Sequence, residues 1–258
     1  MSEGFSVDDL RSVPGRLLCS AVSVRGEVDD RELVALVGRA FLLGQATMAA
    51  ARERRSTRLE RWHQLPAEQR EQVEGWVVSM LSSGWSTHML DPAAVAGTTH
   101  HHVGHWVAPF DLSRCTSFAE RWFTKPARAF WTCPVPPGRG PVGFEGLEGE
   151  LDPERCYSAY LLDFPAENRV FIVDTLSDWE ILLSLCGLDL SRTQRTPDYT
   201  SLPTDWSAVH VTSRALLRFE AAHARDPSDV TLSDWALEST AWLQPFGQPH
   251  VRQVPPQR

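Results

Sequence analysis

The chain has 258 residues, 42% of them hydrophobic, which is enough to bury a real core in one large domain or one domain with a helical extension. A net charge of −8 argues against binding through the whole-chain field to nucleic acid or an anionic membrane. No apolar run approaches the roughly 18 residues of a membrane span, and Met1–Phe5 has neither a basic nor an apolar leader region, so no signal peptide is expected. Five scattered cysteines (Cys19, Cys115, Cys133, Cys156 and Cys186) form no CxxC pair and read as free thiols in a reducing, cytoplasmic setting.

Residues 1–28 carry no clear pattern. From Asp29-Asp30 the acidic start and the apolar positions Leu33, Val34, Leu36, Val37, Ala40 and Phe41 predict a helix. It runs into the Arg-rich stretch 51–61, read as a solvated face with Glu53 and Glu60 interleaved. Pro66 opens a second helix, with Val73, Trp76, Val77, Met80 and Leu81 on one face. Residues 1–84 are therefore an N-terminal helical subdomain, a hairpin whose apolar stripes must pack on something.

At Trp85 the pattern changes. Short strands then alternate with short helices through residue 245, an α+β arrangement with a mixed, mainly antiparallel sheet. Thr87–Leu90 is read as extended and Asp91-Pro92 as the N-cap and first residue of a short helix. His100, His101, His102 and His105 cluster within one stretch. Consecutive side chains of an extended segment point to opposite faces, and no carboxylate or cysteine at motif spacing completes a ligand set, so the triplet is read as a polar loop without a metal. Strands follow at 105–108 and 129–133, and at 155–164, the last hairpinned through Pro165–Asn168 onto Val170–Val173.

That unbroken apolar run is expected at the centre of the sheet. Ser177, with Glu180 three residues on, is read as the cap of the next helix, and Gly187 as its end. Ser207–Thr212 is a strand, Thr212 or Ser213 caps a helix, and a last strand lies within 235–243. The tail 246–258, rich in proline, is expected to be disordered.

The chain lacks the P-loop, Rossmann and nucleophile-elbow motifs. What remains is an ordered set: His88, the aromatic segment around Trp106 and Trp122, and Glu238 at the head of a late strand. In these features residues 85–245 resemble the ADP-ribosyltransferase superfamily, in particular small actinobacterial and phage proteins of toxin or phage-conflict type. That superfamily has a split, mostly antiparallel core that grips NAD. It carries a His or Arg on an early strand, then a polar or aromatic strand, then a Glu near the start of a late strand.

The resemblance implies that His88 holds the NAD ribose or carboxamide. It implies that Trp106 and Trp122 form the nicotinamide surface. Glu238 would polarise the ribose hydroxyl and stabilise the oxocarbenium-like transition state. The partner it implies is a macromolecular target, in the first instance a protein. The competing expectation is a non-catalytic acidic immunity or adaptor module that binds a protein through a Trp-rich surface.

Overall fold

The computed structural model describes residues 87–104, 129–135, 158–188, 195–226, 238–244 and 246–254, together with positions 67, 68, 71, 75, 78, 79, 82, 124, 126, 232 and 235. In the second predicted helix, Ala67, Glu68, Glu71, Gly75, Val78 and Ser79 are helical. The first predicted helix, the strand at 105–108 and both Trp106 and Trp122 lie outside the described residues.

The domain is α+β, with a mixed, mainly antiparallel sheet. Its described elements are α1 (Pro92–Gly97), β1 (Thr99–Gly104), β2 (Phe130–Pro134), β3 (Ser158–Asp163), β4 (Val170–Val173), α2 (Leu176–Cys186), β5 (Ala208–Val211), α3 (Ser213–Arg225), β6 (Ser239–Trp242) and β7 (His250–Val254). The strands lie in the order β4-β5-β6-β2-β1-β3-β7. Among the described strands only β4 and β5 pair in parallel, and the connection through α2 supplies the crossover that a parallel pair needs.

Strand β2 is the join. Phe130, Trp131 and Thr132 pair with β6, whereas Cys133 and Pro134 pair with β1. One wing is therefore β4-β5-β6 and the other β1-β3-β7. One face of the first wing packs Phe171, Val173, Val209, Val211 and Ala241 on Trp179, Leu182, Ala215 and Phe219 of α2 and α3. The other face joins Val170, Ala208 and Trp242 to Leu162 and Phe164 of the second wing and to Met89, Val95 and Ala96 around α1. Phe164 stacks on Trp242 with ring centroids 3.6 Å apart.

Local signals set the helix ends. Asp91 accepts from the Ala93 amide at 3.0 Å, with Pro92 in the first turn, as expected. The cap of α2 is Thr175, not Ser177. Its hydroxyl accepts from the Asp178 amide at 3.1 Å, and Asp178 returns the bond to the Thr175 amide at 2.8 Å. The reciprocal Thr-x-x-Asp box starts the helix earlier than the Ser-x-x-Glu spacing implied. Gly187 ends α2 at φ 74°, where a side chain would be strained.

Several expectations change. β4 is an edge strand, hydrogen-bonded to β5 alone among the described strands. Helices cover its faces, so an unbroken apolar run reports burial of faces and not the number of strand neighbours. β3 does not hairpin onto β4, because β1 and β7 take both of its edges. Asn168 instead ties the turn to the later chain, accepting from the Phe246 amide at 2.6 Å. The tail is not all disordered: His250–Val254 forms β7 along β3. Its prolines (Pro245, Pro249, Pro255 and Pro256) flank the strand and leave its interior free to donate.

Candidate functional site

The histidine triplet is strand, not loop: His100, His101 and His102 lie in β1. His100 is fully buried, with both ring nitrogens engaged. Nε2 lies 2.9 Å from the Val95 carbonyl and Nδ1 lies 2.9 Å from the Thr132 hydroxyl. The carbonyl can only accept, so Nε2 carries the proton and Nδ1 accepts from Thr132. Trp242 Nε1 then donates to Thr132 Oγ1 at 2.9 Å. This polar chain crosses β6, β2 and β1 inside the core, and burial pushes the His100 imidazole down to about 3.

His102 is the least buried of the three. Its Nδ1 donates to the Trp131 carbonyl at 2.8 Å, which leaves Nε2 as the acceptor. The ring lies 4.3 Å from that of Phe130 and stacks with Tyr160 at 6.4 Å. Burial lowers its affinity for a proton, and the Trp131 bond opposes that only in part. His102 is thus a neutral imidazole fixed in one tautomer among aromatic rings. His101 points to the other face, paired in register with Cys133, and burial together with His102 pushes it down to about 4.

Glu238 stands immediately before β6, as expected of it. Its Oε2 accepts from the amide and the hydroxyl of Ser213, at 3.0 and 2.8 Å, at the first residue of α3. A carboxylate there also meets the positive end of the helix dipole. Its Oε1 faces His210 Nε2 at 3.5 Å, longer than a formed hydrogen bond. His210 Nδ1 lies 3.0 Å from Thr240 Oγ1. Burial pushes the Glu238 carboxyl up, but His210 and the Ser213 bonds outweigh it and hold the group below the usual carboxylate range.

By the two-residue period of a strand, Glu238 shares a face with Thr240. Thr240 is opposite Thr132 on β2, and Thr132 bonds His100. Glu238, His210 and the even-numbered β1 histidines therefore belong to one face.

His88 is elsewhere. It is exposed, in a helical turn whose His88 carbonyl accepts from the Asp91 amide at 3.1 Å. The expected strand at 87–90 is absent because the turn leads directly into the Asp91 cap. The next residue, Met89, belongs to the cluster around Trp242. Trp242 lies four residues along β6 from Glu238, about 13 Å at strand rise.

A second polar centre lies at the ends of β4 and β5. The Asp174 carboxylate accepts from Thr212 at 2.8 Å, Arg218 at 2.8 Å and Arg214 at 3.1 Å. Thr212 Oγ1 also accepts from the Ala215 amide at 3.0 Å, so one hydroxyl caps α3 and anchors Asp174. This network fastens two strand ends to one helix.

Nucleophilic cysteine chemistry finds no support at the described thiols. Burial, with the Glu238 charge adding, pushes Cys133 up to about 12, and burial does the same to Cys186. No group of ligating side chains suited to a metal occurs among the described residues. Of the described tryptophans, Trp179, Trp235 and Trp242 are buried, and Trp131 and Trp206 are half-buried against the core. No described helix is long and apolar enough to cross a membrane.

Sequence reasoning missed His210 and Ser213 as neighbours of Glu238, and it missed that His102 lies on a strand. The flanking Thr98, Thr99 and Val103 are the signal that marks the His triplet as strand. Comparison with family models, curated proteins and solved structures finds no match to this chain.

Proposed function

We propose that the chain is an NAD-using, ADP-ribosyltransferase-like protein of the cytoplasm that modifies a macromolecular target. One observation carries this reading. The histidine strand β1, the aromatic and polar strand β2 and the Glu238 strand β6 are consecutive neighbours, at the point where the sheet divides into wings. The residue on the early strand is His102, in place of His88.

In this reading Glu238 is the ionised carboxylate beside the NAD ribose. The bond from the ribose anomeric carbon to nicotinamide breaks, and nicotinamide leaves with the bonding pair. The carboxylate stabilises the positive charge that develops on the ribose. An acceptor atom of the target then forms the new bond and gives up its proton. His102 Nε2 is suited to accept a hydrogen bond from bound NAD, and Phe130 and Tyr160 supply flat apolar surface. Phe130 pairs with Trp242, so this surface stands about 13 Å along the strands from Glu238 and would meet a different part of the same molecule. The Glu238 side chain is 13% exposed, but its Oε1 is buried and its Oε2 is held by Ser213, so a substrate hydroxyl reaches the carboxylate only after a local opening.

Nicotinamide release from NAD by the purified chain tests the reading. Cleavage should fall at least about 100-fold in Glu238→Ala, the scale of losing one transition-state electrostatic group. A wild-type chain that neither binds nor cleaves NAD ends it.

A second reading, a protein-binding module, is favoured by one observation. Leu176, Ile181 and Leu185 of α2 and the following Leu188 are exposed. It requires a co-purifying partner that Ile181→Glu releases.

A further inference from the structure

We propose that His210 is the positioning residue of Glu238: it holds the free carboxylate oxygen while Thr240, on the same strand as that carboxylate, holds the imidazole. The inference rests on the transferase reading and deepens it.

Three contacts define the device. Ser213 takes Glu238 Oε2 through its amide and hydroxyl. Glu238 Oε1 has no hydrogen-bond partner among the described residues, and the same is true of His210 Nε2, yet the two stand 3.5 Å apart. The imidazole itself is immobilised. It is fully buried on β5, with Ile172 of β4 in register on one side and Thr240 of β6 on the other. Its Nδ1 contacts Thr240 Oγ1 at 3.0 Å.

A proton on Nε2 faces the carboxylate, and Nδ1 then accepts from the Thr240 hydroxyl. The imidazole is bracketed by two residues of one strand segment, so a small closure brings the 3.5 Å contact into hydrogen-bonding range. Contacts of catalytic groups are often long before substrate binds. The alternative, a core histidine with no bearing on Glu238, leaves two facing buried polar atoms without a purpose, which folded proteins rarely tolerate.

Among the described residues the charged and titratable groups around the pair are few. From β5 comes His210, and from β2 comes Cys133, whose thiol senses the Glu238 charge. From β1 comes His100, which senses His210. Ser213 of α3 is a neutral donor. The ionisation of Glu238 is therefore read mainly against His210.

The test uses the full chain, with thermal unfolding to confirm the fold of each variant. In His210→Gln the amide nitrogen replaces Nε2, and kcat should stay within about threefold of wild type. In His210→Asn the side chain reaches Thr240 but not Glu238, and kcat should fall about 100-fold with KM little changed, the scale of a misplaced catalytic group. The Glu238 carboxyl, followed by NMR titration, should titrate at higher pH in His210→Asn and not in His210→Gln. Thr240→Val, which releases the other side of the ring, should move both readouts in the same direction.

If Glu238→Gln is inactive while His210→Asn keeps both kcat and the Glu238 titration, positioning by His210 is wrong and the transferase reading stands. If no form cleaves NAD, the transferase reading fails, and the titration alone decides. A shift confined to His210→Asn and Thr240→Val retains the positioning role, and no shift overturns it.

Discussion

The hydroxyl of Thr132 is the hinge of the buried polar chain, and Thr132→Val tests it with almost no change of shape. The wild-type oxygen accepts from Trp242 Nε1 and donates to His100 Nδ1, both at 2.9 Å, in a site with 1% exposure. Valine fills the volume but serves neither neighbour. A buried donor and a buried acceptor each lose this partner, at about 1–3 kcal/mol apiece. We expect a loss of about 3 kcal/mol, with partial relaxation of the His100 ring. At a urea slope near 3 kcal/mol per molar, the unfolding midpoint should drop by about 1 M. The assay is urea denaturation followed by tryptophan fluorescence. Trp242→Phe removes one of the two groups that bond this hydroxyl, so the double variant should recover about 1 kcal/mol relative to the sum of the single ones. A Thr132→Val chain that unfolds within about 0.2 M of wild type would refute the claim that this hydroxyl joins the two strands.

Two further outcomes follow from the same buried groups. Asp174→Asn leaves Arg214 and Arg218, each at most 10% exposed, without their carboxylate. Stability should fall by about 3–5 kcal/mol, and a loss below about 1 kcal/mol in urea denaturation contradicts the network. Acid should act early, because His100 and His101 are pushed down to about 3 and about 4 from 6.5. Their folded forms resist protonation, so the unfolded chain binds more protons below pH 6.5 and stability falls as pH falls. Between pH 7 and pH 5 the loss should be about 2 kcal/mol for each histidine. His100→Gln should flatten that dependence, and an unchanged slope in the variant counts against the assignment.

Local properties of this fold are legible in the sequence. The Asp91-Pro92 start, the Gly187 stop, the Thr212 cap and the strands at β2, β5 and β6 each follow from a few neighbouring residues. What the sequence hides is pairing. The His triplet reads as loop because polar residues on a strand are ordinarily exposed. Here the partners that make burial affordable lie far along the chain, at Thr132 and the Trp131 carbonyl. The same limit turned β4 into an expected central strand, and it concealed β7, whose partner β3 is remote in sequence. By local pattern His88 reads as the early-strand histidine and His102 as part of a loop, the reverse of what the fold places there. The turn at 87–90 and the pairing of β1 with β2 exchange the two.

Glu238 shows why a legible residue is still not a legible role. Its position before β6 is a local feature, whereas its contacts come from Ser213 and His210 on other elements. A carboxylate at the start of α3 stabilises the fold whether or not it also meets a substrate. Glu238→Ala removes both contributions at once. Glu238→Gln separates them, because an amide oxygen can still accept from the Ser213 amide and hydroxyl while the charge is gone. A structural carboxylate therefore predicts that Gln preserves most of what Ala destroys. A catalytic one predicts that Gln keeps the fold and loses nicotinamide release almost as fully as Ala, since a neutral amide does little for a developing cation.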